Sequence, residues 1–554
     1  MVVSDEQLAS EAGVEILKKG GNAVDAAVAV AFALAVVDPQ AGNIGGGGFM
    51  LVRLADGRAA FVDYREEAPK HASRNMYLRS DGTLDAEGST VGYRSVAVPG
   101  TVAGLELALK TYGTKKLAEV MAPAIRLAEQ GFPVSEKLAA SLRDSQPTLQ
   151  RFSMSRRVFL KDGAPYQPGD IFRQPKLAAT LRRIARYRSA EFYRGQTAHK
   201  LADEMARAGG LITLEDLGAY KAKIREPLRA SYDVNGSHWE MITSPPPSSG
   251  GIAAIEALNI LAPIELKDWQ DAQSVHWVVE AMRRVFADRA AYLADADFAH
   301  VPVKGLTDPR YAGELRATIH PRLASSSKQI GAGNPAPFDS VEGSPATSSL
   351  EPRGAAAPSF REGNHTTHFS VVDAAGNSVA NTYTLNDSYG SGVTTTTGFL
   401  LNDEMDDFTV QPGHPNMFDL VQSDANAIGP GKRPLSSMMP TILLRDGKLS
   451  FVTGSPGGPG IISATLLSIL NWMRLGMDAQ AAINAPRFHQ QWLPDVLYVE
   501  TTFSQATARE LEQRGYRITE RDWIGNIEAI AIDPKTGERL GAADPRRQGA
   551  AVGY

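Results

Sequence analysis

A β-hairpin pattern in the second half of the chain constrains the fold more than any other feature of the sequence. Two segments rich in strand-forming residues, 367–373 and 378–386, flank the turn Asp-Ala-Ala-Gly-Asn. A three-residue loop with glycine in its left-handed position is a common hairpin connection, and Gly376 suits that position. We therefore expect two antiparallel strands that are neighbours in a sheet.

The turn also predicts which residues of the hairpin lie opposite each other. If Asp373 pairs with Asn377, then Thr366 lies opposite Thr384, and Asn386 follows on the same side. A slip of one residue would move Thr384 to the other face. Three polar residues together form either the start of a catalytic site or a polar sheet face without chemistry, and the hairpin alone leaves both interpretations open.

The segment before the hairpin has a different composition. Residues 325–364 are rich in Ser, Gly, Ala and Pro and lack a hydrophobic period. Such a composition predicts a flexible surface segment, longer than an ordinary connection. A flexible segment that ends at a strand makes a processing site accessible.

The N-terminal half predicts a buried helical region. Ser4 begins a capping-box pattern for a first helix, and Asn22 caps a second helix that contains the apolar run Ala26–Val37. This run is shorter than the roughly 20 residues needed to cross a bilayer, so it predicts a helix buried on all sides. Residues 45–48 are all glycine; their spacing does not fit a phosphate-binding loop and favours close backbone packing. Residues 100–320 have a mainly helical pattern.

Composition excludes several classes of protein. The chain has 43% hydrophobic and 21% charged residues, as a globular enzyme does, and a formal charge of −5, which argues against nucleic-acid or anionic-membrane binding. It contains no cysteine, which excludes disulfides, thiolate metal sites and a cysteine nucleophile. No signal peptide precedes Ser4, so we expect a chain that is cytoplasmic or already trimmed.

Three further motifs are each ambiguous alone. Glu404 and Asp407 are spaced to share a helical face, which is usually solvated surface. Ser436 and Ser437 offer adjacent hydroxyls or form a plain turn. The backbone N–H groups of Gly457 and Gly458 suit the binding of an oxyanion, although a tight loop is the simpler interpretation.

Together, however, these motifs resemble the γ-glutamyltranspeptidase family over essentially the whole chain. The matching segments are Gly20–Ala27, Gly45–Phe49, Asp63–Pro69, Val98–Gly104, Thr366–Asp373, Thr382–Asn386, Met405–Phe408, Pro434–Met438, Gly454–Gly458 and the tail from Asp544 to Tyr554.

The resemblance implies the N-terminal nucleophile hydrolase fold, an α+β four-layer αββα sandwich of two stacked antiparallel sheets between helical layers. It also implies a precursor that cleaves itself between His365 and Thr366. The products are a large subunit, residues 1–365 with its flexible tail at about 325–365, and a small subunit, residues 366–554. The two remain associated as a heterodimer within one intertwined fold.

The resemblance further implies the role of each site residue. Thr366 is the nucleophile and its new α-amine the base, Thr384 orients the hydroxyl, and the two glycines bind the oxyanion. The donors are γ-glutamyl compounds such as glutathione and glutamine, and the acceptors are water, amino acids or peptides. The donor carboxylate is bound by Arg65, Ser436 and Ser437, and the donor ammonium by Asn386, Glu404 and Asp407. No metal or organic cofactor is required, and the expected location is periplasmic or secreted.

Two positions depart from relatives. Bacterial members often carry glutamine in place of Glu404, and the acid adds negative charge beside the ammonium. In the expected lid, residues 412–424, Phe418 replaces a tyrosine that hydrogen-bonds the site asparagine. Phenylalanine lacks that hydroxyl, which predicts a looser lid and more hydrolysis. Alternatively, its ring packs on an apolar neighbour and keeps the lid closed.

Three other functions fit parts of the sequence. A β-lactam side-chain acylase of the cephalosporin type shares the architecture, but its glutaryl donor has no ammonium for Glu404 and Asp407 to pair. A binding protein that does not process itself is disfavoured by the intact Thr366. A metal hydrolase built on His365 and His368 lacks a carboxylate at a convincing spacing.

Overall fold

Helices and strands occur along the whole described chain. The computed structural model describes residues 1–339 and 366–554. In these residues the strands are β1 (Val2–Ser4), β2 (Gly47–Arg53), β3 (Ala59–Asp63), β4 (Phe132–Pro133), β5 (Leu160–Lys161), β6 (Ala164–Pro165), β7 (Ile171–Phe172), β8 (Lys223–Arg225), β9 (Leu228–Val234), β10 (Ser237–Thr243), β11 (Thr366–Val372), β12 (Ser378–Thr384), β13 (Thr441–Arg445), β14 (Lys448–Thr453), β15 (Phe488–His489), β16 (Leu497–Glu500), β17 (Ile518–Arg521), β18 (Glu528–Ile532), β19 (Arg539–Ala543) and β20 (Ala550–Val552).

The helices fall mainly in the N-terminal two thirds. Over the same residues they are α1 (Gln7–Lys18), α2 (Ala23–Val37), α3 (Ala86–Thr90), α4 (Thr101–Tyr112), α5 (Leu117–Gln130), α6 (Glu136–Leu149), α7 (Ser153–Phe159), α8 (Pro175–Tyr187), α9 (Ser189–Tyr193), α10 (Gln196–Ala208), α11 (Leu214–Ala219), α12 (Gly250–Leu261), α13 (Ala272–Tyr292), α14 (Val303–Thr307), α15 (Pro309–Ala317), α16 (Gly460–Met473), α17 (Ala479–Asn484) and α18 (Gln505–Gln513).

Two antiparallel sheets form the centre of the molecule. The first has the strand order β20-β1-β11-β12-β2-β3-β8, and the second has the order β19-β18-β14-β13-β10-β9. They face each other, since β11 and β12 lie against β14, and β11 also lies against β18. Two long strand hairpins, β11–β12 and β13–β14, thus bring the middle of one sheet over the middle of the other.

Alternating side chains along the first sheet create two separate cores. Phe49 and Leu51 of β2 face the second sheet and join a core with α12, α13 and α16. Met50 and Val52 face the other way and pack with α1, α2, α4, α5 and α8. This alternation follows from the pleat of a strand buried on both faces. The predicted four-layer αββα sandwich is therefore confirmed.

Helix α2 lies in the interior, as predicted. Every residue from Ala23 to Val37 is buried. The side chain of Asn22 accepts hydrogen bonds from the amides of Val24 and Asp25, and the carboxylate of Asp25 accepts from the amide of Asn22, which completes a capping box. Throughout residues 1–339 and 366–554, no helix combines the length and apolarity needed to span a bilayer.

The glycine run at residues 45–48 permits close contact between backbones. A Cβ on Gly46 would overlap the carbonyl of Thr384, and one on Gly48 would overlap β12 at Tyr383. Gly47 pairs directly with Thr384 in the sheet. The prediction of close backbone packing is confirmed, and this packing lets β2 approach the end of β12.

One local prediction is wrong. Ser4 does not cap a helix: Val2–Ser4 forms β1, which pairs with β11 and β20, and α1 begins at Gln7 without a side-chain cap. Ladder hydrogen bonds to two neighbouring strands outweigh one local cap, so tertiary context overrides the motif. The mainly helical pattern predicted for residues 100–320 is confirmed by helices α4 to α15. The same range also contains β8 and β9, which form sheet edges, and β10, which lies inside the second sheet.

The start of the Ser- and Gly-rich segment is held against the body of the protein. The Trp492 indole N–H donates to the carbonyls of Ser327 (3.0 Å) and Ile330 (2.8 Å), and the Gly333 amide donates to Asp288 at 2.7 Å. Residues 340–365 lie outside the described residues. The rest of the segment predicted to be flexible, and with it His365, therefore stays untested.

Candidate active site

The register of the β11–β12 hairpin brings the two predicted threonines together. Thr366 pairs with Thr384, and the turn closes with a hydrogen bond from the Asp373 amide to the Asn377 carbonyl at 3.1 Å. Gly376 has a φ of 90°, the left-handed conformation that the loop requires. The predicted register is confirmed.

The hydroxyl of Thr366 is already oriented by its neighbour. Thr366 Oγ1 donates to Thr384 Oγ1 at 3.2 Å, and Thr384 Oγ1 also accepts from the backbone N–H of Asn386 at 2.9 Å. Thr366 is 6% exposed and Thr384 3% exposed, so the pair is largely shielded from water. A buried hydroxyl held in one orientation is suited to act as a nucleophile once a base lies beside it.

One cavity gathers nearly all the predicted site residues. Its lining combines hydroxyls, acids, an arginine and a few apolar side chains from both halves of the chain. The predicted residues among them are Arg65, Thr366, Thr384, Asn386, Glu404, Asp407, Phe418, Ser436, Ser437 and Gly458. Gly457 is next to this cavity in sequence but does not line it, and His365 lies outside the described residues.

Arg65 lies at the centre of the charged side of the cavity. Its Nη1 donates to Glu404 Oε1, its Nη2 donates to Asp407 Oδ2 at 2.5 Å, and its Nε donates to the Pro434 carbonyl at 3.1 Å. Glu66 Oε2 lies 3.7 Å from Arg65 Nη1. The sequence analysis assigned Arg65 to the donor carboxylate and the two acids to the donor ammonium. In the structure, Arg65 is paired directly with both acids.

The electrostatics of this cluster favour a bound cation. Burial alone would lower the pKa of Arg65, but Glu404, Asp407 and Glu66 outweigh it and hold that pKa above its ordinary value. Burial raises the pKa of Glu404 and that of Glu66, the latter to about 7. The Glu404 and Glu66 side chains are hydrogen-bonded to each other, which needs a proton on one of the two carboxyl groups. When ionised, three acids around one guanidinium carry more negative charge than it balances, which suits a second positive group.

Arg289 is a second buried arginine that sequence reasoning missed. It lies on α13, and its guanidinium donates to three neutral oxygens: Ser249 Oγ (3.0 Å), Ser437 Oγ (3.1 Å) and Gln422 Oε1 (3.5 Å). Burial lowers its pKa to about 10, so it stays charged at neutral pH. The unusual number of charged residues on a buried helix was the signal available in the sequence.

The two serines are poised as hydrogen-bond donors. Ser437 Oγ accepts from Arg289, and Ser436 Oγ accepts from the Met438 amide at 3.1 Å. Because each oxygen already accepts a bond from the protein, each hydroxyl proton is available to an acceptor in the cavity. Arg289 behind Ser437 adds positive charge to this side, which suits a carboxylate.

The glycine loop leads directly into a helix. Gly457 and Gly458 have φ values of 124° and 54°, which glycine adopts without strain, and α16 begins two residues later at Gly460. Pro459 and Ile461 of this turn line the cavity. The N-terminal end of a helix carries partial positive charge, so the loop is suited to an oxyanion near Thr366.

His368 supports that loop and is occupied by hydrogen bonds. Its Nδ1 lies 2.8 Å from Thr382 Oγ1 and its Nε2 lies 3.2 Å from Ser370 Oγ. Burial lowers the pKa of His368 to about 3, so the ring is neutral. In the described ranges no three His, Asp or Glu side chains are grouped as a metal site requires.

Phe418 lies over the glycine loop rather than in solvent. It is 5% exposed, and a Cβ on Gly458 would lie 3.0 Å from Phe418 Cδ1. The side-chain Nδ2 of Asn386, which a lid tyrosine would bind, donates to the Asp403 carbonyl at 3.1 Å and lies 3.6 Å from Met417 Sδ. Of the two alternatives drawn from the sequence, the structure favours the packed ring.

Adding a methyl group at Gly454 tests the support of the loop. A Cβ there would overlap the His368 ring, which is held at both nitrogens. We expect Gly454→Ala to lower the free energy of unfolding by about 1–3 kcal/mol, the usual cost of overpacking. Denaturant unfolding measures this. Gly331→Ala is the control, because a Cβ there meets no atom within 4 Å. Equal stability of the two variants would contradict a tight contact.

Known proteins match this chain over its full length. The family model described as Gamma-glutamyltranspeptidase matches residues 9–554. A glutathione hydrolase proenzyme of Pseudomonas sp. strain A14 is 45% identical, over 100% of this chain and 94% of that protein. The glutathione hydrolase proenzyme of Escherichia coli K12 is 44% identical, over 99% of this chain and 90% of that protein.

A solved structure supports the same architecture. The cephalosporin acylase from Bacillus halodurans superposes with a TM-score of 0.85 at 27% identity, covering 100% of this chain and 95% of that chain. The family match, the full-length relatives and the cavity around Thr366 agree. The chain belongs to the γ-glutamyltranspeptidase family.

Proposed function

We propose that this chain is a self-processing γ-glutamyltransferase and hydrolase with Thr366 as its nucleophile. The observation that carries the proposal is the hydroxyl pair of Thr366 and Thr384 at the edge of a cavity whose far side holds Arg65, Glu404 and Asp407. Membership of the family supports it, and so does the name glutathione hydrolase proenzyme borne by two relatives.

The proposed maturation is an attack of Thr366 on the peptide bond before it. The hydroxyl oxygen adds to the His365 carbonyl carbon, the C–N bond breaks, and the acyl group moves from nitrogen to oxygen. Water then hydrolyses the ester, which leaves a carboxylate on His365 and a free α-amine on Thr366. An internal threonine has only an amide nitrogen beside its hydroxyl and therefore lacks a base.

The sheet topology explains why the proposed subunits, 1–365 and 366–554, remain together. The small-subunit hairpin β11–β12 lies between β1 and β2 of the large subunit, and the small-subunit strand β13 pairs with the large-subunit strand β10. Separation would break ladders in both sheets and expose two cores. A lasting heterodimer from one precursor follows from this arrangement.

In the proposed turnover, the new α-amine of Thr366 acts as general base. An α-amine has a reference pKa of about 7.7–8.0, close to the working pH, so it takes the hydroxyl proton and returns it to the leaving amine. Thr366 Oγ1 attacks the γ-amide carbon, and the backbone N–H groups of Gly457 and Gly458 bind the oxyanion. The ester that forms is a γ-glutamyl-threonine.

The donor head is proposed to bind between the two charged sides of the cavity. Its carboxylate receives hydrogen bonds from Ser436 and Ser437, with Arg65 nearby. Its ammonium donates to Glu404, Asp407 and Asn386, all of which line the cavity. Glutathione and glutamine both present this head, and no metal or organic cofactor enters the mechanism.

Water or an amine then resolves the ester. Attack by water releases glutamate, whereas attack by the amine of an amino acid or peptide gives a new γ-glutamyl amide. In both cases the Thr366 α-amine removes a proton from the attacking group. A periplasmic or secreted location is proposed from the family alone.

Replacing the nucleophile tests self-cleavage. Purified Thr366→Ala precursor is expected to stay at full mass, while the wild-type chain separates into two fragments without added protease. Intact-mass spectrometry distinguishes the two. Thr367→Ala is the matched control and is expected to cleave, because Thr367 points to the opposite face of β11. Cleavage of Thr366→Ala at this bond would remove Thr366 as nucleophile.

Replacing one acid tests the ammonium subsite. Asp407→Asn keeps the side-chain shape but removes a charge-assisted hydrogen bond worth about 1.5–3 kcal/mol. We expect kcat/KM for γ-glutamyl-p-nitroanilide to fall about 10- to 150-fold. Glutaryl-p-nitroanilide lacks the ammonium, so any slow turnover of it is expected to remain unchanged. An equal loss for both substrates, or a preference for glutaryl, would favour the acylase alternative.

Restoring a hydroxyl to the lid tests control of hydrolysis. Phe418→Tyr could add one neutral hydrogen bond to Asn386, worth about 0.5–1.5 kcal/mol. That shifts a two-state lid toward closure by about 2- to 12-fold. We expect the ratio of γ-glutamyl-glycylglycine to free glutamate to rise at fixed acceptor concentration. An unchanged ratio would mean that the residue at position 418 does not limit the entry of water.

A further inference from the structure

The backbone of the lid is held by a side chain that does not line the cavity. Gln491 Nε2 donates to the carbonyl of Phe418 at 3.1 Å. Gln491 is 2% exposed and follows β15 in the small subunit. Its bond fixes the lid at the residue whose ring lies on Gly458.

The orientation of the Gln491 amide is determined by its neighbours. Nε2 also donates to the Leu493 carbonyl at 3.2 Å, so both of its protons point at backbone oxygens. The amide oxygen therefore faces His489 Nε2, 2.9 Å away. An amide oxygen only accepts hydrogen bonds, which places a proton on His489 Nε2.

The opposite nitrogen of His489 connects this contact to α16. His489 Nδ1 lies 2.7 Å from Ser463 Oγ, and with its proton on Nε2 it accepts from that hydroxyl. Burial lowers the pKa of His489 to about 4, which keeps the ring neutral. The contacts thus form a closed path from α16 through His489 and Gln491 to Phe418, and from the Phe418 ring to Gly458 at the start of α16.

Other parts of the lid are held separately near the donor subsite: Gln422 Nε2 donates to the Asp407 carbonyl at 3.1 Å, and the Met417 backbone amide donates to Asp406 Oδ2 at 3.0 Å. The contact with Asn386 is weaker: its side-chain Nδ2 lies 3.6 Å from Met417 Sδ, and sulfur is a poor acceptor. The Gln491 bond to Phe418 joins strong donors and acceptors in a buried place, where a lost partner costs most.

We infer that Gln491 is a positioning residue for the reaction. It holds the Phe418 ring against the glycine loop at Gly458 and keeps the lid closed over the γ-glutamyl ester. The role in turnover rests on the proposed function, whereas the role in holding the lid does not. A closed lid keeps bulk water from the ester while an acceptor amine binds and orients.

Hydrogen exchange of the lid tests this inference without substrate. In the purified, processed protein, Gln491→Leu removes both donors at similar size. We expect peptides that cover residues 412–424 to exchange about 2- to 12-fold faster, as expected for the loss of one neutral hydrogen bond. The control is Gln174→Leu, which also removes a buried amide donor, here to the Val36 carbonyl at 2.7 Å. That variant is expected to leave lid exchange unchanged.

The effect on turnover distinguishes positioning from general destabilisation. At fixed glycylglycine, Gln491→Leu is expected to lower the transfer fraction, and Gln174→Leu is not. In a Phe418→Ala background, Gln491→Leu is expected to have no further effect on that fraction, because the ring it seats is gone. Gln491→Asn, which is too short to reach the carbonyl, provides a second variant with the same expectation if the leucine variant does not fold.

Two results would overturn the inference: lid exchange in both Gln491 variants equal to that of the wild type, or a loss of transfer that is fully additive with Phe418→Ala. A wild-type chain with no γ-glutamyl turnover would instead contradict the proposed function and leave the exchange measurement valid.

Discussion

The pairing of β11 with β12 between β1 and β2 holds the rest of the site in place. Seven residue pairs fix its register, and both of its faces are buried. On one face, Thr366 and Thr384 meet at the cavity and His368 supports the glycine loop. A slip of one residue would bury these groups among the helices, so the chemistry depends on a register that the cores on both sides enforce.

Buried charge is the second constraint. Arg65 and Arg289 are both inaccessible to water, and each is held by several oxygens from distant parts of the chain. Burying a cation is costly unless its donors are satisfied, so the fold must bring those oxygens together before any substrate arrives. The resulting cavity is negative near Glu404 and positive near Ser437. This polarity matches a zwitterionic head better than a simple acid.

Local patterns anticipated much of this arrangement but failed where distant segments decide. The hairpin register, the capped helix α2 and the close packing at residues 45–48 followed from turn chemistry, capping and the lack of side chains. The strand at Ser4 did not, because its hydrogen bonds come from β11 and β20. Arg289 and Gln491 were also missed, since each acts on a residue more than seventy positions away in the chain.

The sequence by itself determined the family, the four-layer architecture and the threonine pair, because ordered motifs and a two-residue strand period are properties of neighbouring residues. Only the tertiary structure decided that Arg65 pairs with the acids beside it, that Arg289 stands behind Ser437, and that Phe418 is seated by Gln491. The physical reason is that hydrogen bonds and burial depend on distance in space, and these contacts join segments that the sequence keeps far apart.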